Sequence, residues 1–109
     1  MGLAASQQRL IQLSARKTDV ELTGQQINQS RLQIANQTSN LFGDTANLTP
    51  GSADSIQMQQ KIAKFQAQDK QLELQLRRLD SEQEAIQNEL QALQKVIDKN
   101  IEYNFKGLG

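Results

Sequence analysis

A heptad repeat of apolar residues runs through the second half of the chain and constrains the fold more than any other feature. Its positions are separated by alternating gaps of four and three residues over more than five heptads. The repeat consists of Met58, Ile62, Phe65, Asp69, Leu72, Leu76, Leu79, Gln83, Ile86, Leu90, Leu93 and Ile97. Ten of these twelve positions are apolar, and no proline or glycine interrupts them. This pattern predicts one long helix with coiled-coil packing.

The first half of the chain carries a weaker version of the same repeat. One set of positions is apolar and recurs every seven residues, at Leu13, Val20, Ile27, Ile34 and Leu41. Only the first of the companion positions is apolar, in the series Leu10, Lys17, Gly24, Arg31 and Thr38. A lone helix with this pattern is marginally stable, because helices gain most of their stability from packing. We therefore expect this helix to pair with the helix of the second half.

The stretch between the two repeats gathers the only proline and several small polar residues. Together with the two repeats, this stretch predicts a single domain over residues 1–109. Helix 1 is expected at about 3–42, a loop at 43–54 and helix 2 at about 55–106. Gly43 suits the left-handed position after a helix, and Asp54 with Gln57 resembles a capping box. Thr49-Pro50 is an alternative, earlier helix start. The predicted fold is all-α, an antiparallel two-helix hairpin with coiled-coil packing.

Polar residues interrupt both repeats at positions that antiparallel pairing brings close together. The pairing places Arg31 within about one helical turn of Asp69, and Lys17 within about one turn of Gln83. Polar residues inside a coiled-coil seam fix the register of the helices at some cost in stability. We predict that these four residues set the register of the hairpin.

Further apolar residues lie outside the heptad positions of the two repeats, which together form the seam of the hairpin. We predict that these outer residues contact other molecules. Ile11, Leu22, Leu32 and Phe42 suggest a second contact face on the first helix. Near the C-terminus, an apolar stripe is formed by Ile101, Phe105 and Leu108. This stripe either packs against Leu3 and the first turn of helix 1 or docks on another subunit, since large exposed apolar patches mark contact sites. A hairpin covers only one side of each helix, so we expect it to form oligomers.

Composition argues against several classes of function. The 12 basic and 12 acidic residues balance, which argues against a nucleic-acid partner. The chain has no cysteine and no histidine, so we predict no catalytic residues, no metal site and no cofactor, and we do not expect an enzyme. No run of residues is apolar enough for a membrane span. We expect a protein of the bacterial cytoplasm, or one exported without a cleaved signal peptide.

Two short regions resemble known protein groups. The sequences MGLAASQ at residues 1–7 and VIDKNIEYNFK at residues 96–106 resemble the termini of a group of small bacterial helical proteins with no assigned activity. The sequence LQIANQT at residues 32–38 resembles the N-terminal signature of flagellar and type III axial proteins. The general format, two helices and one turn without cysteine, is also similar to type III needle subunits. These resemblances imply a bacterial origin and an exported helical subunit.

The sequence favours a non-enzymatic structural or assembly subunit that self-associates through helix–helix contacts. An exported filament-type subunit or a component of a secretion apparatus is one form of this hypothesis. The alternative is a coiled-coil adaptor or chaperone-like protein that binds a helix of a different protein. Stable homo-oligomers would favour the first hypothesis, and co-purification of one stoichiometric foreign partner would favour the second.

Overall fold

The described chain consists of two long helices. A computed structural model describes residues 2–108, with side chains as far as Lys106. Helix α1 spans Leu3–Thr45 and helix α2 spans Ala53–Leu108, joined by residues 46–52. No strand occurs within residues 2–108. The two helices pack against each other, which confirms the prediction of an all-α two-helix hairpin.

The chain divides into two compact units, each made from one part of α1 and one part of α2. The terminal unit comprises Met1–Thr23 and Leu79–Gly109, and the loop unit comprises Gly24–Arg78. In the terminal unit, Arg9 pairs with Glu89 and Arg16 pairs with Glu82. Because one residue number rises as the other falls, these pairs show that the helices run antiparallel.

The heptad repeats are the faces that the helices bury. Every position of both predicted repeats is buried or half-buried, as expected when a stripe of apolar residues every three and four positions faces a partner helix. The terminal unit holds a core cluster of Leu13, Val20, Ile86 and Leu93, with Leu79 and Leu90 packed against it. In the loop unit, the buried apolar side chains among the described residues are Ile27 and Ile62.

Helix α1 continues past the position at which the sequence predicts its end. Gly43 lies inside the helix and does not have the positive φ of a left-handed cap, so the prediction of a cap at Gly43 is wrong. The half-buried face continues through Leu41, Thr45 and Leu48 at the same spacing, and packing therefore outweighs the poor helix propensity of glycine. The helix ends in a tighter turn, in which the Leu48 N–H donates to the Thr45 carbonyl at 3.0 Å.

Helix α2 begins at Ala53, two residues before the predicted start and after the alternative start at Thr49-Pro50. The Ser52 hydroxyl accepts a hydrogen bond from the Ser55 N–H at 3.2 Å, so Ser52 is the N-cap. Asp54 lies in the first helical turn instead, where the partial positive charge of the helix terminus favours a carboxylate. The prediction of a capping box at Asp54 is therefore wrong, because the N-cap lies two residues earlier, at Ser52.

A tight turn precedes this cap and requires a glycine. The Ser52 N–H donates to the Thr49 carbonyl at 3.1 Å, and Gly51 has a φ of 79°. Proline at the second position and glycine with positive φ at the third are the signature of a type II turn. Pro50 therefore belongs to the turn that reverses the chain and does not begin α2.

Two glycine-to-alanine substitutions are expected to change stability in opposite directions. The Gly51→Ala variant forces a side chain into the left-handed region, so its free energy of unfolding should fall by about 1 kcal/mol. The Gly24→Ala variant should gain about 0.5–1 kcal/mol, because a Cβ there meets no atom within 4 Å and α1 is helical at this position. Urea unfolding followed by circular dichroism measures both changes, and a Gly51→Ala variant as stable as the unmodified chain would contradict the turn geometry.

Candidate functional site

The loop unit contains an ion pair inside its helix–helix seam. The Arg31 Nε donates to Asp69 Oδ1 at 2.8 Å, and its Nη2 donates to Asp69 Oδ2 at 3.2 Å. Both residues are half-buried. Bidentate pairing of this kind fixes geometry as well as contributing energy. The structure thus brings together two of the four polar seam residues, in a position that a shifted register would disrupt.

The pair changes the ionisation of both partners. The hydrogen bond from Arg31, helped by its positive charge, lowers the pKa of Asp69 although partial burial opposes the change. The hydrogen bond to Asp69 likewise raises the pKa of Arg31, with smaller contributions from the charges of Asp69 and Glu73 and with desolvation acting in the opposite direction. The ionised forms of both side chains are therefore favoured in the folded chain.

The lowered pKa of Asp69 predicts a loss of stability in acid. A carboxylate whose pKa is lower in the folded state stabilises the fold above its ordinary value, near 3.8, and this contribution disappears as the pH falls through the folded value. We expect the free energy of unfolding to fall below about pH 4, and to fall less in the Asp69→Asn variant. Glu84→Gln is the control, because Glu84 is exposed. Equal acid dependence in the Asp69→Asn variant and the unmodified chain would contradict the pair.

The other two polar seam residues lie in the terminal unit and make different contacts. Gln83 is half-buried, and its Nε2 donates to Glu21 Oε1 on α1 at 3.1 Å. The Gln83 Oε1 is buried and accepts no hydrogen bond from a described residue. Lys17 is half-buried on α1, and no hydrogen bond joins it to Gln83 within residues 2–108. The register-setting role of Lys17 and Gln83 stays a prediction.

Two ion pairs between the helices flank the core of the terminal unit. The Arg9 Nε lies 2.9 Å from Glu89 Oε1, and Arg16 pairs with Glu82. Exposed pairs of this kind contribute about 0–1 kcal/mol each. The sequence alone does not reveal these pairs, because residues so far apart in the chain can be matched only when the register is known.

The seam also includes two buried serines, Ser6 and Ser55. Extending each heptad repeat by one step towards the chain terminus or the loop would have found them.

The predicted contact residues outside the seam are solvent-exposed wherever their side chains are described. They are Ile11, Leu22, Leu32, Phe42, Ile101 and Phe105. The side chain of Leu108 lies outside the described residues. Because Phe105 is 78% exposed and Ile101 is 50% exposed, neither is buried against the first turn of α1. Sequence analysis did not single out Ile56, Leu74 or Val96, which are also exposed.

Two open grooves follow the opposite sides of the loop unit. The larger, of about 690 Å³, is lined by Leu32, Ala35 and Phe42 of α1 together with Phe65 of α2, and the Arg31–Asp69 pair also lines it. The smaller, of about 470 Å³, is lined mainly by amide and lysine side chains, namely Gln37, Asn40, Lys61, Lys64 and Gln68, with Leu41 and Phe65. Both grooves thus contain apolar side chains, but the exposed large ones, Leu32 and Phe42, line the larger groove, whereas Leu41 and Phe65 are half-buried seam residues.

The described residues contain neither a cluster of metal-binding side chains nor a helix that could span a membrane. Within residues 2–108, no group of three or more histidine, cysteine, aspartate or glutamate side chains is placed to hold a metal ion. No helix in this range combines the length and the hydropathy of a membrane span.

Comparisons with protein-family models, with curated proteins and with solved structures give no significant match. The resemblances of residues 1–7, 32–38 and 96–106 to bacterial protein groups therefore stay predictions.

Proposed function

We propose that this chain is a non-enzymatic structural or assembly subunit that binds further copies of itself through helix–helix contacts. The observation that carries the proposal is the placement of the four aromatic side chains. Phe42, Tyr103 and Phe105 are exposed, and Phe65 is only half-buried in the seam. Aromatic side chains bury large areas in cores and are enriched at protein interfaces. A chain that leaves three of its four aromatic residues in solvent supports a role in which a partner covers them.

The distribution of apolar residues explains why another helical molecule is the expected partner. The heptad seam is already used inside the hairpin, where α1 and α2 cover each other. Each fully buried leucine or phenylalanine contributes about 1.5–3 kcal/mol to stability. The side chains that are exposed in the single chain can make this contribution only when a partner covers them. Helix pairs commonly bury a second face by forming four-helix bundles. The exposed residues on α1 and on the last turns of α2 lie on helices, so a partner helix can cover them.

Composition supports the non-enzymatic part of the proposal. The sequence contains no histidine and no cysteine, so it supplies neither an imidazole base nor a thiolate nucleophile. Asp69 has a lowered pKa and is held by Arg31. A carboxylate in such a pair is suited to holding two helices together and poorly suited to accepting protons near neutral pH.

Sedimentation velocity of the purified full chain tests the proposal. We expect the average mass to exceed the 12.2 kDa of one chain and to rise with protein concentration from the micromolar to the millimolar range. A single 12.2 kDa species at every concentration would overturn the proposal. Electron micrographs of the concentrated sample then distinguish closed particles from growing filaments, since closed and open assemblies use different contact symmetries.

A further inference from the structure

Three of the four large apolar residues that are exposed in the loop unit share one position relative to the seam, and the fourth, Leu74, does not. Leu32, Ala35 and Phe42 of α1 each come directly after a seam residue, and so do Ile56 and Ala63 of α2. In an antiparallel helix pair, residues that follow seam positions lie on the same side of both helices. These five residues therefore form one surface, which we call the apolar face.

The opposite side of the loop unit has a contrasting composition. The residues that come directly before seam positions in this unit are all polar, and they include Asp44, Asp54, Lys61 and Lys64. The larger groove is lined by Leu32, Ala35 and Phe42, and the smaller by the two lysines together with the half-buried seam residues Leu41 and Phe65. Leu32 and Phe42 therefore give a partner exposed apolar side chains on the side of the larger groove.

The charge of the apolar face identifies the kind of partner that it suits. The only charged residues that line its groove are Arg31 and Asp69, which are hydrogen-bonded to each other. A strongly charged partner would find no complementary group there. In a two-fold contact the same surface is present on both copies, so a face with a net charge would meet a second face with the same net charge. A face whose charges already cancel avoids that repulsion, and charge-depleted centres are typical of interfaces.

The size of the face predicts how tightly two copies would associate. From Asn28 to Phe42 the face extends about 21 Å along α1, at 1.5 Å per residue, and the two helices together are about 20 Å wide. This footprint is small compared with the roughly 800 Å² per partner of a standard stable interface. We therefore expect association that depends on concentration and not a permanent dimer.

We propose that a second copy of this chain packs on the apolar face of the loop unit and forms a two-fold, four-helix contact centred near Ala35. This proposal rests on the proposed self-association and adds the surface and the symmetry. Phe42 and Leu32 contribute most of the apolar area, because they are 54% and 64% exposed in the single chain. Ala35 lies halfway between Asn28 and Phe42 on α1, where a small side chain lets two helices approach closely.

Sedimentation equilibrium of three full-length proteins tests the surface. We expect the Leu32→Gln/Phe42→Gln variant to raise the dissociation constant at least tenfold, with unchanged helical circular dichroism because both side chains are exposed. The Leu74→Gln variant is the matched control: Leu74 lies in the same unit and is 43% exposed, but it does not follow a seam residue. Its dissociation constant should change less than twofold. Unchanged association of the double variant, or equal weakening in the control, would overturn the proposal.

Charge complementation tests the symmetry independently of the lost apolar area. The Ala35→Lys and Ala35→Glu variants should each associate at least tenfold more weakly than the unmodified chain, because a two-fold contact brings two like charges together. An equimolar mixture of the two should regain association through mixed pairs, and added salt should weaken this recovery. A mixture that associates no better than either variant alone would overturn the two-fold contact.

The outcomes separate this proposal from the proposed function. If the unmodified chain remains at 12.2 kDa at all concentrations, both proposals fail. If it associates but Phe105→Gln disrupts the assembly while the Leu32→Gln/Phe42→Gln variant does not, self-association stands and the apolar face of the loop unit is not the contact.

Discussion

The Ile86→Asp variant is expected to lose more than about 4 kcal/mol of unfolding free energy, which is a large part of the stability of a small domain. Ile86 is 5% exposed and belongs to the core cluster with Leu13, Val20 and Leu93. An unpaired carboxylate in such a site costs several kcal/mol. Small domains are stable by only about 5–15 kcal/mol in total. Thermal unfolding followed at the helical circular dichroism band measures the change.

Val96→Asp is the matched control for this variant. Val96 lies on the same helix and in the same unit, but it is exposed. Both substitutions carry the same loss of helix propensity, which is less than about 1 kcal/mol, and only Ile86→Asp also buries a charge. If the two variants were equally stable, the buried face of α2 would not be the one described.

A double-mutant cycle between Leu13 and Ile86 is expected to reveal direct coupling across the hairpin. Each alanine substitution alone should cost about 2–5 kcal/mol, because each removes a buried side chain from the core cluster. The double variant should cost less than the sum of the two by about 0.5–3 kcal/mol, since neighbouring cavities share partners. Urea unfolding of the four proteins gives the coupling energy.

The control cycle pairs Leu13 with Ile97. Ile97 is equally buried but lies eleven residues further along α2 than Ile86, about 16 Å at 1.5 Å per residue. Substitutions this far apart are expected to be additive within about 0.5 kcal/mol. The register set by the Arg9–Glu89 and Arg16–Glu82 pairs would be contradicted by the opposite result. In that result, the substitutions at Leu13 and Ile97 would be strongly coupled, and those at Leu13 and Ile86 would be additive.

The two units differ in how their seams are built, and the difference matters for assembly. The terminal unit concentrates buried apolar side chains in one cluster. In the loop unit, Gly24, Arg31, Thr38 and Asp69 occupy seam positions, and the core is correspondingly thinner. A part of a structure with few buried apolar contacts opens more readily. Contact with a second copy on the apolar face would therefore add stability where the hairpin has least of its own.

The heptad repeats were sufficient to predict the helices and their buried faces. Alternating gaps of three and four residues specify one stripe on a helix whatever else the sequence contains. The proximity of Arg31 and Asp69 followed from the same repeat, since antiparallel pairing leaves only a narrow range of registers. The exposure of Leu32 and Phe42 also followed, because neither occupies a seam position.

The helix ends and the ion pairs were harder to predict. Gly43 is a common residue after a helix, but the seam continues to Thr45 and carries the helix past the glycine. Ser52 and Asp54 are both good caps, and only the backbone of the Thr49–Ser52 turn selects Ser52. The Arg9–Glu89 pair depends on a register shift of a few residues, which the repeat alone does not resolve.

We propose that each chain closes its own seam first and then associates through its exposed apolar residues. A dilution series that records mass by sedimentation and helix content by circular dichroism on the same samples tests this order of events. On dilution we predict that the mass falls to 12.2 kDa while the helix content remains constant. Loss of helix content in step with the mass would show that the helices pair between chains and not within one chain.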